Sequence, residues 1–268
     1  MNVEIIVDNE KCIVCGDCVS RCNNHYISIV NGQIEVSGDR CISCGHCEAV
    51  CKQNAITVDS NCLVDEDYVF SLNISSEDMS NYMRSRRSIR KYKENEIPTN
   101  ILEDIMDTVR FAPSAINMQD TKWTIINSKE KSDALEQLMI DFLKENLKNQ
   151  TPLSKQMTLE PIIKIFENSQ HPLLRGAPSI IVAKTQDGSY TDTNAIIALS
   201  YLELLLPSYK LGSCWAGFLQ MCSEYPPIKK YLKIRDDEHM AGALMVGYPD
   251  EEYCNVPKRN KINIDYID

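Results

Sequence analysis

From about residue 81 onward, apolar side chains recur at the spacing of amphipathic helices. After Pro98 and Thr99, apolar positions at 101, 102, 105, 106 and 109 predict one helix, and a similar pattern over 135–147 predicts a second. The run 195–206 is apolar on nearly every side, which predicts a buried central helix that ends near Pro207. Short strand-like runs lie at 123–127, 179–183 and 243–248. Helices therefore alternate with strands, as is typical of an α+β or α/β domain.

The first 60 residues follow a different pattern, in which cysteine is the recurring residue. The chain has twelve cysteines, and eight of them lie between positions 12 and 51. They form two strings of the same spacing, C-x2-C-x2-C-x3-C, and the second string repeats the first at an offset of 29 residues. The first string consists of Cys12, Cys15, Cys18 and Cys22, and the second consists of Cys41, Cys44, Cys47 and Cys51. We therefore predict a duplicated cysteine module at 1–60, a polar and acidic linker at 61–80, and a larger domain at 81–268.

Composition narrows the class of protein further. The net charge is −10, from 28 basic and 38 acidic side chains, which argues against nucleic acid as the main partner. We find no basic leader and no apolar run of about 20 residues, so we expect a cytoplasmic protein without a membrane partner. Thiols stay reduced in that compartment, and dense cysteine then indicates a metal or cluster site rather than disulfides.

The cysteine spacing favours iron–sulfur clusters over zinc. A loop with a cysteine at every third position wraps three thiolates around one face of a cubane, and the fourth ligand comes from elsewhere. An all-cysteine zinc site usually has two CxxC pairs separated by a spacer. Residues 1–60 resemble the bacterial ferredoxins that carry two 4Fe-4S clusters. This resemblance implies one cluster on Cys12, Cys15, Cys18 and Cys51, and a second on Cys41, Cys44, Cys47 and Cys22.

Three strings in the larger domain carry candidate chemistry. The first, at 84–93, reads R-S-R-R-S-I-R-K-Y-K. It has six basic residues and two serines, and it has no acidic residue. Guanidinium groups and a hydroxyl suit a phosphate, although a solvated helix start or an RNA-binding patch is also compatible with this string. The second string is A-P-S-A-I-N-M-Q at 112–119, and the third is L-G-S-C-W-A-G-F at 211–218. Neither a P-loop nor a G-x-G-x-x-G after a strand is present, so a Rossmann site is not supported.

In their order and spacing, and together with R-G-A-P at 175–178 and a basic pair near the C-terminus, these strings resemble the nitroreductase family over residues 81–260. The resemblance implies an α+β homodimer with a central, mainly antiparallel sheet flanked by helices, and one FMN per subunit at the dimer interface. The residues that match the family's motifs, and that are therefore expected to bind FMN, are Arg86, Arg87, Ser88, Arg90, Pro113, Ser114, Asn117, Gln119, Ala216, Gly217, Lys258 and Arg259.

The resemblance also assigns roles within this set. The arginine string is expected to bind the FMN phosphate and ribityl chain, and the basic pair at 258–259 is expected to close over the phosphate. Asn117 is expected to hydrogen-bond the flavin, and the backbone N–H groups of Ala216 and Gly217 are expected to reach flavin N5 and O4. Donors at those atoms would stabilise negative charge on the reduced ring.

The whole chain resembles the ferredoxin–nitroreductase fusions of anaerobic bacteria and archaea. The resemblance implies an FMN-dependent nitroreductase-type oxidoreductase in which two 4Fe-4S clusters pass electrons from an external donor to FMN. The acceptor would be a small organic molecule such as a nitroaromatic, a quinone or an activated alkene, and the donor would be ferredoxin, flavodoxin or NAD(P)H. Two alternatives stay open: a non-catalytic electron-transfer or redox-sensing protein that docks a protein partner, and a flavoenzyme with another reaction, such as reductive dehalogenation or flavin degradation.

Overall fold

The computed structural model of the protein describes residues 4–37, 41–59, 73–168 and 170–267. The chain divides into two compact units. The first unit comprises Met1–Leu72 together with Ser114–Met118, and the second unit comprises Asn73–Pro113 and Gln119–Asp268. The division after residue 72 falls inside the predicted linker, whereas the assignment of Ser114–Met118 to the first unit was not foreseen. The limits 1–60, 61–80 and 81–268 stay a prediction.

The first unit has the symmetry of its duplicated sequence. Its elements are β1 (Glu4–Val7), α1 (Asp17–Arg21), β2 (Ile27–Val30), β3 (Gln33–Val36), α2 (His46–Ala49) and β4 (Ile56–Asp59). Strands β1 and β4 form one antiparallel pair, and β2 and β3 form another. Each cysteine string thus contains a short helix before its fourth cysteine and is followed by a strand. A small core that includes Tyr26, Ile27, Ile56 and Val58 fills the space between these elements.

The second unit alternates helices and strands, as predicted. Its helices are α3 (Ser76–Ser85), α4 (Thr99–Val109), α5 (Lys129–Lys148), α6 (Pro152–Gln156), α7 (Leu159–Glu167), α8 (Thr191–Leu205), α9 (Gly217–Met221) and α10 (Pro226–Tyr231). Its strands are β5 (Lys122–Asn127), β6 (Ser179–Gln186), β7 (Gly212–Trp215) and β8 (Glu238–Gly247). No helix within the described residues is both long enough and apolar enough to cross a bilayer.

The four strands of the second unit form one sheet in the order β5-β6-β8-β7, and every pair in it is antiparallel. Side chains alternate between the two faces of a strand. Ile180 and Val182 of β6 accordingly pack with α5 and α7 on one face, whereas Ile181 and Ala183 pack with α4 and α8 on the other. The predicted α+β domain, with a central antiparallel sheet flanked by helices, is therefore confirmed.

The predicted helices at 101–109 and 135–147 lie within α4 and α5, and the apolar run at 195–206 lies largely within α8. A 3-10 turn over Leu206–Tyr209 follows α8 and contains Pro207, so the predicted end of this helix is confirmed. Helix α3 was not predicted. It begins at Ser76, inside the segment 61–80 that was expected to be a linker. The Ser75 hydroxyl caps it by accepting from the Asp78 N–H at 3.0 Å. None of its residues is buried, although Met79, Tyr82 and Met83 recur at helical spacing. This short pattern was not recognised from the sequence.

Candidate cofactor sites

Two cavities in the first unit are each lined by four cysteines. The larger, of about 210 Å³, is lined by Cys12, Cys15, Cys18 and Cys51. The smaller, of about 90 Å³, is lined by Cys22, Cys41, Cys44 and Cys47. The fold therefore brings the fourth cysteine of each string to the first three cysteines of the other. Both sets have the composition that the ferredoxin resemblance implies.

Hydrogen bonds to sulfur mark the fourth cysteine of each string. The Tyr26 N–H donates to Cys22 Sγ at 3.2 Å, and the Ala55 N–H donates to Cys51 Sγ at the same distance. A backbone donor at this position stabilises sulfur as a thiolate, which is the form that binds iron. The donor set of the two cavities therefore fits iron–sulfur clusters.

The third cysteine of each string is the most buried. Burial raises the pKa of the Cys47 thiol to about 11, and it also raises the pKa of the Cys18 thiol. These thiols are protonated at neutral pH unless a cation binds them, because a metal replaces the proton of a coordinating thiol. Burial therefore shifts the pKa of the third cysteine in the same direction in both strings.

The string at 112–119 divides between the two units. Pro113 and Gln119 belong to the second unit and are exposed, whereas Ser114 and Asn117 belong to the first. The Asn117 side chain donates to the carbonyl oxygen of Ile42 at 3.1 Å and to that of Ser43 at 2.9 Å. Its amide nitrogen therefore contacts the loop between Cys41 and Cys44, and the flavin contact expected of Asn117 stays a prediction.

The arginine string lines a cavity of about 260 Å³ in the second unit. Arg86 forms an ion pair with Glu203 of α8 at 3.0 Å. The Arg87 guanidinium donates to the carbonyl oxygens of Arg84 and Arg86, but its Nε is buried and has no hydrogen-bond partner among the described residues. A buried cationic donor without an acceptor fits an anionic group such as a phosphate.

The remaining residues of the string are held by neighbouring strands and loops. Ser88 forms a parallel bridge with Ser213 of β7, and the Ile89 N–H donates to the Ser213 carbonyl at 2.9 Å. The Arg90 N–H donates to the Glu251 carboxylate at 2.8 Å. These contacts place the string beside β7, so the first and third sequence motifs meet in the second unit.

The third motif supplies β7 and the start of α9. The Ala216 N–H donates to the Ala243 carbonyl of β8 at 2.9 Å. This donor is therefore engaged within the sheet, which leaves the exposed Gly217 as the N–H available for the flavin contact expected here. The first N–H groups of a helix have no intrahelical acceptor.

The C-terminal basic pair is exposed. Lys258 and Arg259 lie in an extended segment that has no helix or strand between residues 251 and 267. Pro249, Glu251 and Tyr253, which come shortly before the pair, line the arginine cavity. The residues shortly before the pair therefore lie at the predicted phosphate site, whereas Lys258 and Arg259 do not line it.

Sequence reasoning did not assign a role to Glu203. This carboxylate pairs with Arg86 and also accepts from the Trp215 indole N–H at 3.2 Å. It connects α8, β7 and the arginine string with one side chain. Its signal in the sequence is that it is the one charged residue in the largely apolar run 195–206.

Comparisons with known proteins identify both parts of the chain. Residues 83–248 match the model of the Nitroreductase family, and residues 4–52 match that of the 4Fe-4S dicluster domain. YfhC of Bacillus subtilis is 25% identical over 189 residues, which are 67% of this chain and 88% of YfhC. An NADH dehydrogenase of Thermus thermophilus is 25% identical over 181 residues, which are 62% of this chain and 84% of that protein.

A solved structure supports the same assignment of the fold. A nitroreductase from Bacteroides fragilis, crystallised with bound FMN, aligns with a TM-score of 0.60 at 18% identity. The alignment covers 71% of this chain and 98% of that structure. Because the Nitroreductase model alone matches more than half of the chain, the protein belongs to the nitroreductase family, as a nitroreductase-type oxidoreductase preceded by a 4Fe-4S dicluster segment.

Proposed function

We propose that this protein is an iron–sulfur flavoprotein that passes electrons from an external donor, through two 4Fe-4S clusters, to FMN and on to a small organic acceptor. The observation that carries the proposal is the pair of four-cysteine cavities in a chain whose larger part is a nitroreductase domain. Paired clusters form a short path for single electrons, and one cluster would suffice for a purely structural role.

The cluster ligands that we propose follow the lining of the two cavities. Three cysteines of each string and the fourth of the other bind one cubane, as in two-cluster ferredoxins. The N–H donors to Cys22 and Cys51 support this assignment because they favour thiolate at the two crossing positions. The carboxylate excess of the chain, with a net charge of −10, favours low cluster potentials.

The FMN phosphate is proposed to bind at the arginine string. Arg87 is the strongest candidate because its buried Nε lacks a partner among the described residues. Arg86 is neutralised by Glu203, so its role is to hold the string against α8 as well as to add positive charge. Ser88 and Arg90 are proposed to complete the phosphate and ribityl contacts. Lys258 and Arg259 do not line the arginine cavity, and their closure over the phosphate stays a prediction.

The flavin ring is proposed to lie near the start of α9. There the Gly217 N–H is a fixed donor for the ring, and a fixed donor stabilises developing negative charge without reorganisation. Bound FMN supplies the two-electron chemistry at its N5, and the protein supplies position and electrostatics. Pro113, Ser114, Asn117 and Gln119 stay the proposed flavin-side contacts from the second string.

A fused cluster module makes electron delivery intramolecular and raises the effective concentration of the donor. Ferredoxin, flavodoxin and NAD(P)H are the candidate external donors, and the name of the Thermus thermophilus relative favours a test of NADH. Nitroaromatics, quinones and activated alkenes are the candidate acceptors. We further propose a cytoplasmic homodimer that requires neither nucleic acid nor a membrane.

Cofactor stoichiometry tests the proposal directly. Anaerobic purification followed by iron, sulfide and FMN assays should give about eight irons and about one FMN per chain. Zinc in place of iron, or protein without flavin, would refute it. The reduced protein should then be oxidised rapidly by a nitroaromatic, whereas a non-catalytic carrier would react only with a protein acceptor.

The phosphate assignment has its own test. Arg87→Ala should weaken FMN binding by about 1.5–3 kcal/mol, which is the usual loss for a hydrogen bond to a charged group. The cluster absorbance should be unchanged. Arg235→Ala is a suitable control because Arg235 is an exposed arginine of the same unit that pairs with Asp237. Equal FMN affinity in the two variants would exclude Arg87 from the site.

A further inference from the structure

The two cysteine loops have matching backbones. Val14 and Ser43, which occupy equivalent positions, are both left-handed, with φ of 54° and 53°. Gly16 and Gly45 follow with φ of 82° and 70°. The backbone at these positions is therefore similar, and the two loops differ in their side chains and in what contacts them.

One side chain from a distant segment contacts the second loop. The Asn117 amide donates to two successive carbonyls, those of Ile42 and Ser43, at 3.1 Å and 2.9 Å. Ile42 is half-buried, whereas its counterpart Ile13 in the first loop is 66% exposed. The second loop is thus held from outside the cysteine string.

The turn that carries Asn117 is itself held in an unusual conformation. Its backbone is left-handed at Ile116, with φ of 45°, and at Asn117, with φ of 56°. The Asn117 N–H donates to the Ser114 carbonyl at 3.0 Å and closes the turn. A left-handed backbone is rare for a β-branched residue, and it persists only where surrounding contacts enforce it. The contact with the second loop is one such restraint.

The Asn117 amide has no donor left for another partner. A primary amide has two N–H groups, and each is matched here by one carbonyl of the loop. A contact between Asn117 and a flavin would therefore use Oδ1 as an acceptor. The two roles of this side chain depend on different atoms and can be separated by experiment.

We propose that Asn117 is a positioning residue for the iron–sulfur cluster of the second string, an inference that rests on the proposed function. A trans peptide is planar, so its N–H points away from its C=O. A donor that holds the carbonyls of Ile42 and Ser43 turns the N–H groups of Ser43 and Cys44 to the opposite side of the loop, where they would face the sulfurs of a bound cluster. N–H groups directed at sulfur stabilise the added negative charge of the reduced cluster and raise its potential.

A redox titration of the complete, anaerobically purified protein, followed by electron paramagnetic resonance, tests this inference. Asn117→Gly removes the amide and tolerates the left-handed backbone. The reduction equilibrium constant of the second cluster should fall about threefold, or about 28 mV at 59 mV per tenfold for one electron. The first cluster is the internal control and should not change. Cys15→Ser and Cys44→Ser assign the two signals.

Hydrogen exchange, followed by mass spectrometry, gives a second measurement that does not depend on activity. In Asn117→Gly the peptide that contains Ser43 and Cys44 should exchange faster, and the peptide that contains Val14 and Cys15 should not. Ile116→Ala, which alters an exposed side chain of the same turn, should leave both peptides unchanged.

Asn117→Asp separates the cluster role from the flavin role. It keeps an acceptor oxygen and loses both donors, so it should lower the potential of the second cluster, and the FMN content, measured separately, reports on the proposed flavin contact. Unchanged potential and exchange in both Asn117 variants would overturn the inference, whatever the FMN content. Absence of iron from the unsubstituted protein would overturn the proposed function, and this inference with it.

Discussion

The two cysteine strings share their spacing, their left-handed turns and the burial of their third cysteine, but their surroundings differ. The cavity that the first string supplies with three cysteines has a volume of about 210 Å³, and its counterpart has about 90 Å³. The first loop exposes Ile13 to solvent, whereas Asn117 contacts the second loop. A duplicated ligand pattern therefore does not produce two equivalent sites.

Some features of the two sites are set by residues nearby in the sequence, and others by residues far away in it. Ligand spacing and the turns between ligands come from the repeat itself, because every residue involved lies within a few positions of a cysteine. The contact from Asn117 comes from 74 and 75 residues away in the sequence. We therefore expect the clusters to share ligand chemistry and to differ in potential and in resistance to loss.

The largest effects should come from the cysteines at which the strings cross. Cys51→Ser should remove the first cluster and about half of the iron, because Cys51 lines the first cavity with Cys15. Cys22→Ser should remove the second cluster, as Cys44→Ser should, because both cysteines line the second cavity. Iron assays and electron paramagnetic resonance of the single variants measure these losses. If Cys51→Ser instead removed the same paramagnetic signal as Cys44→Ser, the fourth cysteine of each string would not bind the cluster of the other string.

Strain in the two turns should have a smaller and equal effect. Gly16→Ala and Gly45→Ala place a side chain on a left-handed backbone, which costs about 1–2 kcal/mol. Because an added Cβ makes no contact closer than 3.6 Å at Gly16 and none within 4 Å at Gly45, the cost should be the same in both. Each variant should lower reconstitution of its own cluster, measured as iron and sulfide bound per chain.

The control for these variants is Gly32→Ala in the turn between β2 and β3. Gly32 also has a left-handed backbone, with φ of 78°, and open space around it, but no cysteine is near it in the sequence. This variant should lose similar stability and keep both clusters. Loss of cluster in Gly32→Ala would show that strain anywhere in the first unit, rather than at the ligand turns, limits cluster binding.

Hydrophobic patterning predicted several of the elements that bury side chains, but it missed α7, which buries Leu159 and Ile163. Apolar residues at helical spacing predicted α4 and α5, whereas a run that is apolar on nearly every side predicted α8. Short strand-like runs predicted β5, β6 and β8. Helix α3 has no fully buried residue, and β7 has only four residues, and neither was predicted. The cap at Ser75 and the acid at Asp78 were a local signal for α3 that hydrophobicity could not supply.

The candidate sites were predictable to the extent that they are local. The spacing of the cysteines, through the ferredoxin resemblance, predicted which four would line each cavity. The engagement of the Ala216 N–H by Ala243, the ion pair of Glu203 and the contact of Asn117 with the second loop were not predicted. Each depends on which distant strand or loop a residue meets, and that follows from tertiary packing.

The smallest predicted effect concerns the side chains at equivalent positions 13 and 42. Ile13→Ala should change stability by less than about 0.5 kcal/mol because Ile13 is exposed. Ile42→Ala should cost about 1 kcal/mol of stability because Ile42 is half-buried, and truncation of a fully buried isoleucine would cost about 2–5 kcal/mol.

Since cluster loss is irreversible, the rate at which the cluster absorbance bleaches in urea under anaerobic conditions is the suitable measure. The Ile42 variant should bleach up to about fivefold faster than the Ile13 variant, at about 1.4 kcal/mol per tenfold. Equal rates would mean that the difference in burial between Ile13 and Ile42 has no energetic weight.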